Sequence, residues 1–419
     1  MDRRAFINRA AWASLATGIP SLPLHAGSNG WDPAKIRDRY RRLLFEGYLP
    51  FWEKGGADTE YGGFMCYLFD DGRVQDERKD IWYQGRGIWV YSTLYQKLDR
   101  DPRWLEHARR ARDFMVAHMH RGDGTWHDTV DRRGTPVSGK EGYRSQNIYG
   151  ALFAAVGLLA YAKASGDEAS LELALKTIRK SRDRYESPDY PGVPVPGITG
   201  LGLRAQGHAF SFIWTLSQID ELDSDLSTYL EEQLHHLADD FWNPEFRISN
   251  EYLSRDHERL PGWEVFMAPG HSIEAQWMGM VGAQRLGKAD LARTLANRMR
   301  LLIEKTWDYR YGGVGDTAFY AKATETHPEG TDFSIKTMWA QTEIMLGCMV
   351  VIQAYQEPWA YGWFQRTEDF LLRTMRTGIG VWRQAVDRQG RPKQREGISP
   401  YRKGNFHQPR MLIGVLEGV

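Results

Sequence analysis

Apolar residues recur at three- and four-residue spacing through 149–164, 171–185, 209–219, 289–306, 335–355 and 361–375. That period belongs to helices with one buried face, so most of the chain reads as helical. Between these stretches come short turns in which glycine precedes an aromatic or apolar residue: Gly62-Gly63-Phe64, Gly124-Thr125-Trp126, Gly312-Gly313-Val314 and Gly380-Val381-Trp382. Most are followed by a few polar residues and a second turn ending in glycine, as in Asp131-Arg132-Arg133-Gly134 and Asp387-Arg388-Gln389-Gly390, and more loosely in Asp70-Asp71-Gly72. The interval from Gly63 to Gly380 divides into five steps of roughly 63 residues, each long enough for two helices and a hairpin loop. Residues 241–256 fill one intermediate step, and 187–200, rich in Pro and Gly, form the irregular one. Six helical hairpins with short β-hairpin loops are predicted, closing into an inner and an outer ring with a pocket at one end.

The beginning of the chain has a different character. Asp2-Arg3-Arg4-Ala5-Phe6-Ile7-Asn8, followed by a weakly apolar run over 10–24 with no acidic residue, reads as a twin-arginine export signal spanning 1–26. A membrane helix needs about 20 predominantly apolar residues, and Pro20 and Pro23 interrupt this run. Cleavage near Ala26 is therefore expected, with a periplasmic or secreted product; an ordinary amphipathic helix on a cytoplasmic protein is the alternative. Residues 27–419 contain no Ser/Gly-rich or charge-block linker and read as one catalytic domain. The 54 basic and 54 acidic side chains balance, leaving no overall electrostatic footprint for nucleic acid or an anionic membrane. Two cysteines, Cys66 and Cys348, are too few for a disulfide framework, and whether they pair stays open.

Three strings carry candidate chemistry. In Arg402-Lys403-Gly404-Asn405-Phe406-His407-Gln408-Pro409-Arg410 a histidine lies between glycine and proline among cations, which predicts a loop position and a proton-transfer group, against a solvated surface histidine. In Pro269-Gly270-His271-Ser272-Ile273-Glu274 the Pro-Gly pair opens a helix, so His271 and Glu274 share a face within its first turn. Glu274 could orient the imidazole, raise its basicity or hold a sugar hydroxyl. The string lacks the second histidine of the His-Glu-x-x-His zinc pattern, and no metal is expected. In Trp82-Tyr83-Gln84-Gly85-Arg86-Gly87 an arginine stands between two glycines at the start of a helix. Its fixed charge and fork of donors suit an oxygen that becomes negative during reaction; a structural salt bridge is the alternative.

Together with Glu60-Tyr61-Gly62-Gly63-Phe64, Asp71-Gly72-Arg73-Val74 and the block 336–343, these strings resemble, in order, the N-acylglucosamine 2-epimerase family, which includes cellobiose 2-epimerases and mannose-type aldose-ketose isomerases. The resemblance implies an all-α (α/α)6 barrel and an isomerase that needs no cofactor. It implies that His271 and His407 are the catalytic acid/base pair, and that Arg86, Glu274, Glu343 and Trp339 bind substrate. Some members carry a further histidine midway along the chain. Here His208 is the candidate, unless it sits a turn away and Phe210 takes its place. The implied reaction inverts C2 of an aldose or N-acyl-glucosamine through an enediolate; return of the proton to C1 would instead give a ketose. A glycoside hydrolase drawing on Asp58, Glu60, Glu264, Glu274 and Glu343, and a non-catalytic carbohydrate-binding protein, are the rival classes. The expected partner is a small carbohydrate, with no nucleic acid, no membrane after signal cleavage, and a homodimer left open.

Overall fold

A computed structural model describes residues 30–137, 148–193, 195, 202–320, 330–395 and 399–419. The expected export signal and most of 194–200 lie outside the described residues. Among the described residues the helices are α1 (Pro33–Arg41), continued by a π-helical stretch, Arg42–Tyr48, into α2 (Leu49–Gly55); α3 (Ile81–Thr93), extended by the π-helical Leu94–Leu98; α4 (Pro102–His118); α5 (Tyr149–Ser165); α6 (Glu168–Glu186); α7 (Gln206–Ser217); α8 (Ser224–His235); α9 (Pro269–Arg285); α10 (Ala289–Thr306); α11 (Met338–Tyr355); α12 (Pro358–Thr374); and α13 (His407–Gly418). Six of them, α3, α5, α7, α9, α11 and α13, are apolar nearly all round and form the inner ring of an (α/α)6 barrel. The amphipathic α4, α6, α8, α10 and α12 each cover the inner helix that precedes them, and α1 covers α13. A helix buried on every side cannot present a polar face, whereas one at the surface must, and the two kinds of pattern sort accordingly.

The tight connections therefore run from inner to outer helix, as at 166–167, where Gly166 takes the left-handed conformation at the end of α5. The glycine turns of the sequence repeat lie instead in the longer loops that lead from each outer helix to the next inner one. The sixth pair joins the two ends of the described chain, with the Arg37 guanidinium donating to the carbonyl of Val419. No described helix is long and apolar enough to cross a membrane. Cys66 and Cys348 are both buried and free.

The long loops are held by a repeated device that fixes the N-terminal ends of the inner helices. Two-residue strands precede several of these helices: Lys79 pairs with Val130, Arg204 with Leu253, and Lys336 with Val386. Lys79 donates from its buried Nζ to Asp58 Oδ2 (2.9 Å) and to the carbonyls of Gly62 (2.6 Å) and Arg132 (2.8 Å). Lys336 repeats this with Asp308 (2.9 Å), Gly312 (2.6 Å) and Arg388 (2.9 Å). In each copy the side chain of that same arginine, Arg132 or Arg388, also donates to the aspartate, so the buried carboxylate has two cationic partners. Glutamines near the starts of α3, α11 and α13 clamp the glycine turns in the same way. Gln84 accepts from the amide of Phe64 (2.7 Å) and donates to its carbonyl (2.9 Å), and Gln341 does so at Val314 (3.0 Å for both). Gln408 accepts from the Trp382 amide (3.0 Å) and donates to the Gly380 carbonyl (2.8 Å). A side-chain amide thereby satisfies loop groups that would otherwise be buried unpaired.

Candidate active site

All six inner helices contribute their N-terminal turns to one cavity of about 490 Å³, within the range of small-molecule sites. Trp82, Tyr83 and Arg86 come from α3, Tyr149 and Phe153 from α5, Phe210 and Trp214 from α7, His271 and Glu274 from α9, Trp339 from α11, and His407 and Arg410 from α13. Six helix dipoles thus point their positive ends at one space, an arrangement favourable to negative charge developing there.

His271 sits in the first turn of α9, where Pro269 is well suited to the opening helical position. Its Nδ1 hydrogen-bonds Glu251 Oε1 at 2.8 Å, and Glu251 is itself buried. Burial alone would lower the imidazole pKa, but Glu251, then Glu274 and Asp316, carry it up to about 9, so His271 is an imidazolium at neutral pH. Of the three roles left open for Glu274, orienting the ring falls to Glu251 from the preceding loop, while raising its basicity fits Glu274. Glu274 accepts from Arg410 Nη2 at 2.9 Å and acts on His271 only through its charge.

His407 is the first residue of α13, not a loop residue, because Gln408 anchors that first turn to the 380–382 loop. Its Nδ1 lies 2.9 Å from Glu343 Oε1. Burial, together with the charges of Arg410 and Arg86, holds its pKa well below the ordinary histidine value, so the ring is neutral. Unlike His271, His407 lies beside cations: Arg410, whose Nη2 donates to both Glu343 (2.5 Å) and Glu274 (2.9 Å), and Arg86, whose charges add to burial in keeping the ring neutral. Trp339 packs against both imidazoles, with ring centroids 4.9 Å from His271 and 5.7 Å from His407.

Arg86 projects from the second turn of α3 over the faces of Phe153 (4.0 Å) and Phe406 (5.0 Å). Gly85 permits this, since a Cβ there would lie 2.1 Å from the carbonyl oxygen of Phe153; without one, α3 and α5 come close enough to seat the guanidinium on the Phe153 ring. Burial lowers its pKa to about 10, which leaves it charged at neutral pH, and its Nε is buried without a partner. A cation with unspent donors facing a cavity can receive an oxyanion.

His208 lies outside the cavity lining. It is fully buried beside Tyr149, Tyr185 and Tyr190, with Nε2 3.2 Å from the Tyr190 hydroxyl. Burial lowers its pKa to about 3, and Phe210, two residues on, reaches the cavity and packs 5.8 Å from His271. Glu251 carries no sequence signal, and Arg402 and Arg410 are marked in the sequence only as cations flanking His407. Glu251 pairs with a histidine 20 residues away and has no local signature. Arg410, three residues after His407, would have been legible had His407 been read as a helix start.

Glu274, Glu343 and His407 converge closely enough to ligate a cation, but the Arg410 guanidinium already donates to both carboxylates. The same sharing leaves Glu274 and Glu343 poorly suited to flank a scissile bond as a hydrolase pair. Asp58 is committed to Lys79 and Arg132, away from the cavity.

The family model described as N-acylglucosamine 2-epimerase (GlcNAc 2-epimerase) matches residues 62–403. The chain belongs to the N-acylglucosamine 2-epimerase family. Membership places it among the isomerases. It is 25% identical over 384 residues to the N-acylglucosamine 2-epimerase of Mus musculus, covering 87% of each chain. It is 24% identical over 404 residues to the cellobiose 2-epimerase of Ruminococcus albus, covering 90% of this chain and 97% of the other. The cellobiose 2-epimerase of Bacillus thermoamylovorans B4167 shares the fold with a TM-score of 0.78 at 18% identity, over 92% of this chain and all of that one.

Proposed function

We propose that this family member is a sugar 2-epimerase that inverts C2 of an aldose or N-acyl-glucosamine, with His271 and His407 as opposing acid/base groups. The observation that carries the reading is their opposite protonation: two imidazoles packed on one tryptophan, one charged and one neutral at the same pH. A ring-opened aldose presents C1=O towards Arg86. Neutral His407 removes the C2 proton, and the electron pair moves onto the C1 oxygen, where Arg86 and the helix N-termini stabilise the enediolate. The imidazolium of His271 then delivers a proton to the other face of C2. Turnover leaves His407 protonated and His271 neutral, and in that state the opposite epimer is processed with the two roles exchanged; proton exchange with water restores the resting state.

Replacing either histidine by asparagine keeps approximate size and hydrogen bonding but removes the titrating proton. Each change should slow inversion on the order of 10² to 10⁴-fold. In heavy water a single variant should still exchange the C2 proton of one epimer without inverting it, and the double variant should do neither. Parental turnover in both single variants, followed by NMR on N-acetylglucosamine, mannose and cellobiose, would sink the two-histidine mechanism.

A further inference from the structure

Four arginines line the cavity, and their charges are unequally matched. Arg410 is held by Glu274 and Glu343, and Arg395 pairs with Asp316 at 3.2 Å. Arg86 and Arg402 have no carboxylate within ion-pair distance among the described residues; Glu274 and Asp80 act on them only through their charge. Arg402 donates its Nε to the hydroxyl of Tyr83 at 2.8 Å and lies over that ring, which leaves both of its Nη groups uncommitted. Tyr83 and Arg86 are three residues apart on α3 and share a face, so the two guanidiniums occupy the same stretch of wall.

Two like charges gathered in a partly desolvated cavity repel each other, and an anion bound between them relieves that repulsion. The enediolate accounts for one negative charge, at Arg86. Epimerisation of a neutral sugar supplies no second charge for Arg402. Extending the epimerase reading, on which this inference rests, we propose that Arg402, beside Arg86, binds an anionic substituent of the sugar, a carboxylate or a phosphate. A guanidinium with free Nη groups suits either through charge-assisted hydrogen bonds. The preferred substrate is then an acidic aldose.

Calorimetric titration of the full chain with three matched pairs tests this: glucuronate against glucose, N-acetylmuramate against N-acetylglucosamine, and mannose 6-phosphate against mannose. At least one acidic member should bind tenfold or more tighter than its neutral counterpart, and the pair that does so distinguishes carboxylate from phosphate. In Arg402→Gln, verified as folded by its unfolding temperature, that ratio should fall to about one. Equal or weaker binding of all three acidic sugars, or a preference that survives in Arg402→Gln, overturns the subsite. Deuterium exchange at C2 is read separately. Binding preference without exchange would count against the epimerase reading alone, and exchange without preference against the subsite alone.

Discussion

Both His271 and His407 hydrogen-bond a glutamate through Nδ1, yet they hold different charges. What separates them is the next neighbour. Glu251 acts on His271 without a competing cation in contact, whereas Glu343 is shared between His407 and Arg410. Glu251 is accordingly a positioning residue with an electrostatic role, and its replacement has a readout beyond loss of rate. In the parent, kcat/KM should fall at alkaline pH as His271 loses its proton near 9. In Glu251→Gln the main raising influence is gone, burial remains, and the alkaline limb should move towards the ordinary value of about 6.5 or below. A merely structural contribution would lower the rate at every pH and leave the limb where it was. A pH–rate profile on the parent and the variant decides between them.

Among the elements, the crossing of α3 and α5 sets where Arg86 can reach. Gly85 and Gly157 face each other there, and a Cβ at either would meet backbone of the partner helix, at 2.1 Å from the carbonyl oxygen of Phe153 or 2.5 Å from that of Gly85. Backbone cannot swing aside as the end of a side chain can. Gly85→Ala should therefore push the helices apart, at a cost of about 1–3 kcal/mol in urea unfolding, and should also slow turnover by shifting Arg86 off Phe153. Unchanged stability would mean that the crossing is looser than its geometry indicates. The glycine turns that mark the sequence repeat were legible because Gly62, Gly63, Gly312 and Gly313 all have φ near +80°, a conformation that few other residues adopt. Their place in the fold was not legible. Whether such a turn closes a helical hairpin or links two of them depends on the distant partners that clamp it, Lys79 and Gln84 or Lys336 and Gln341.

For the molecule as a whole, histidines buried in the neutral form make stability depend on acidity. His208 has a folded pKa of about 3 against about 6.5 when unfolded. Between those values the unfolded chain binds the proton that the folded chain refuses, so stability is full above pH 6.5 and is lost as pH falls through this window. His407, also lowered, acts in the same direction. At pH 5 the His208 contribution alone is a loss of about 2 kcal/mol relative to pH 7. His208→Phe should remove that part of the dependence, even though losing the Tyr190 hydrogen bond lowers stability at pH 7. Urea denaturation at pH 7 and pH 5 checks this, and an equal loss in parent and variant would refute the assignment.

What the sequence determined by itself was periodic or local: six of the helical spans, whose bounds lie within a few residues of those observed, the glycine turns, and the strings around Arg86, His271 and His407. These are properties of spacing along one helix or of backbone conformation at one residue, and neighbouring residues suffice to fix them. Tertiary structure alone decided which carboxylate serves which histidine, that burial with Arg410 and Arg86 keeps His407 neutral, that His208 faces a cluster of tyrosines instead of the cavity, and that Arg402 stands beside Arg86 without a carboxylate in contact. Each of these depends on groups from different inner helices and loops meeting at one end of the barrel. Electrostatic pairing at such a meeting point is set by distances of about 3 Å between residues 20 to several hundred positions apart in the chain, and no local pattern encodes it.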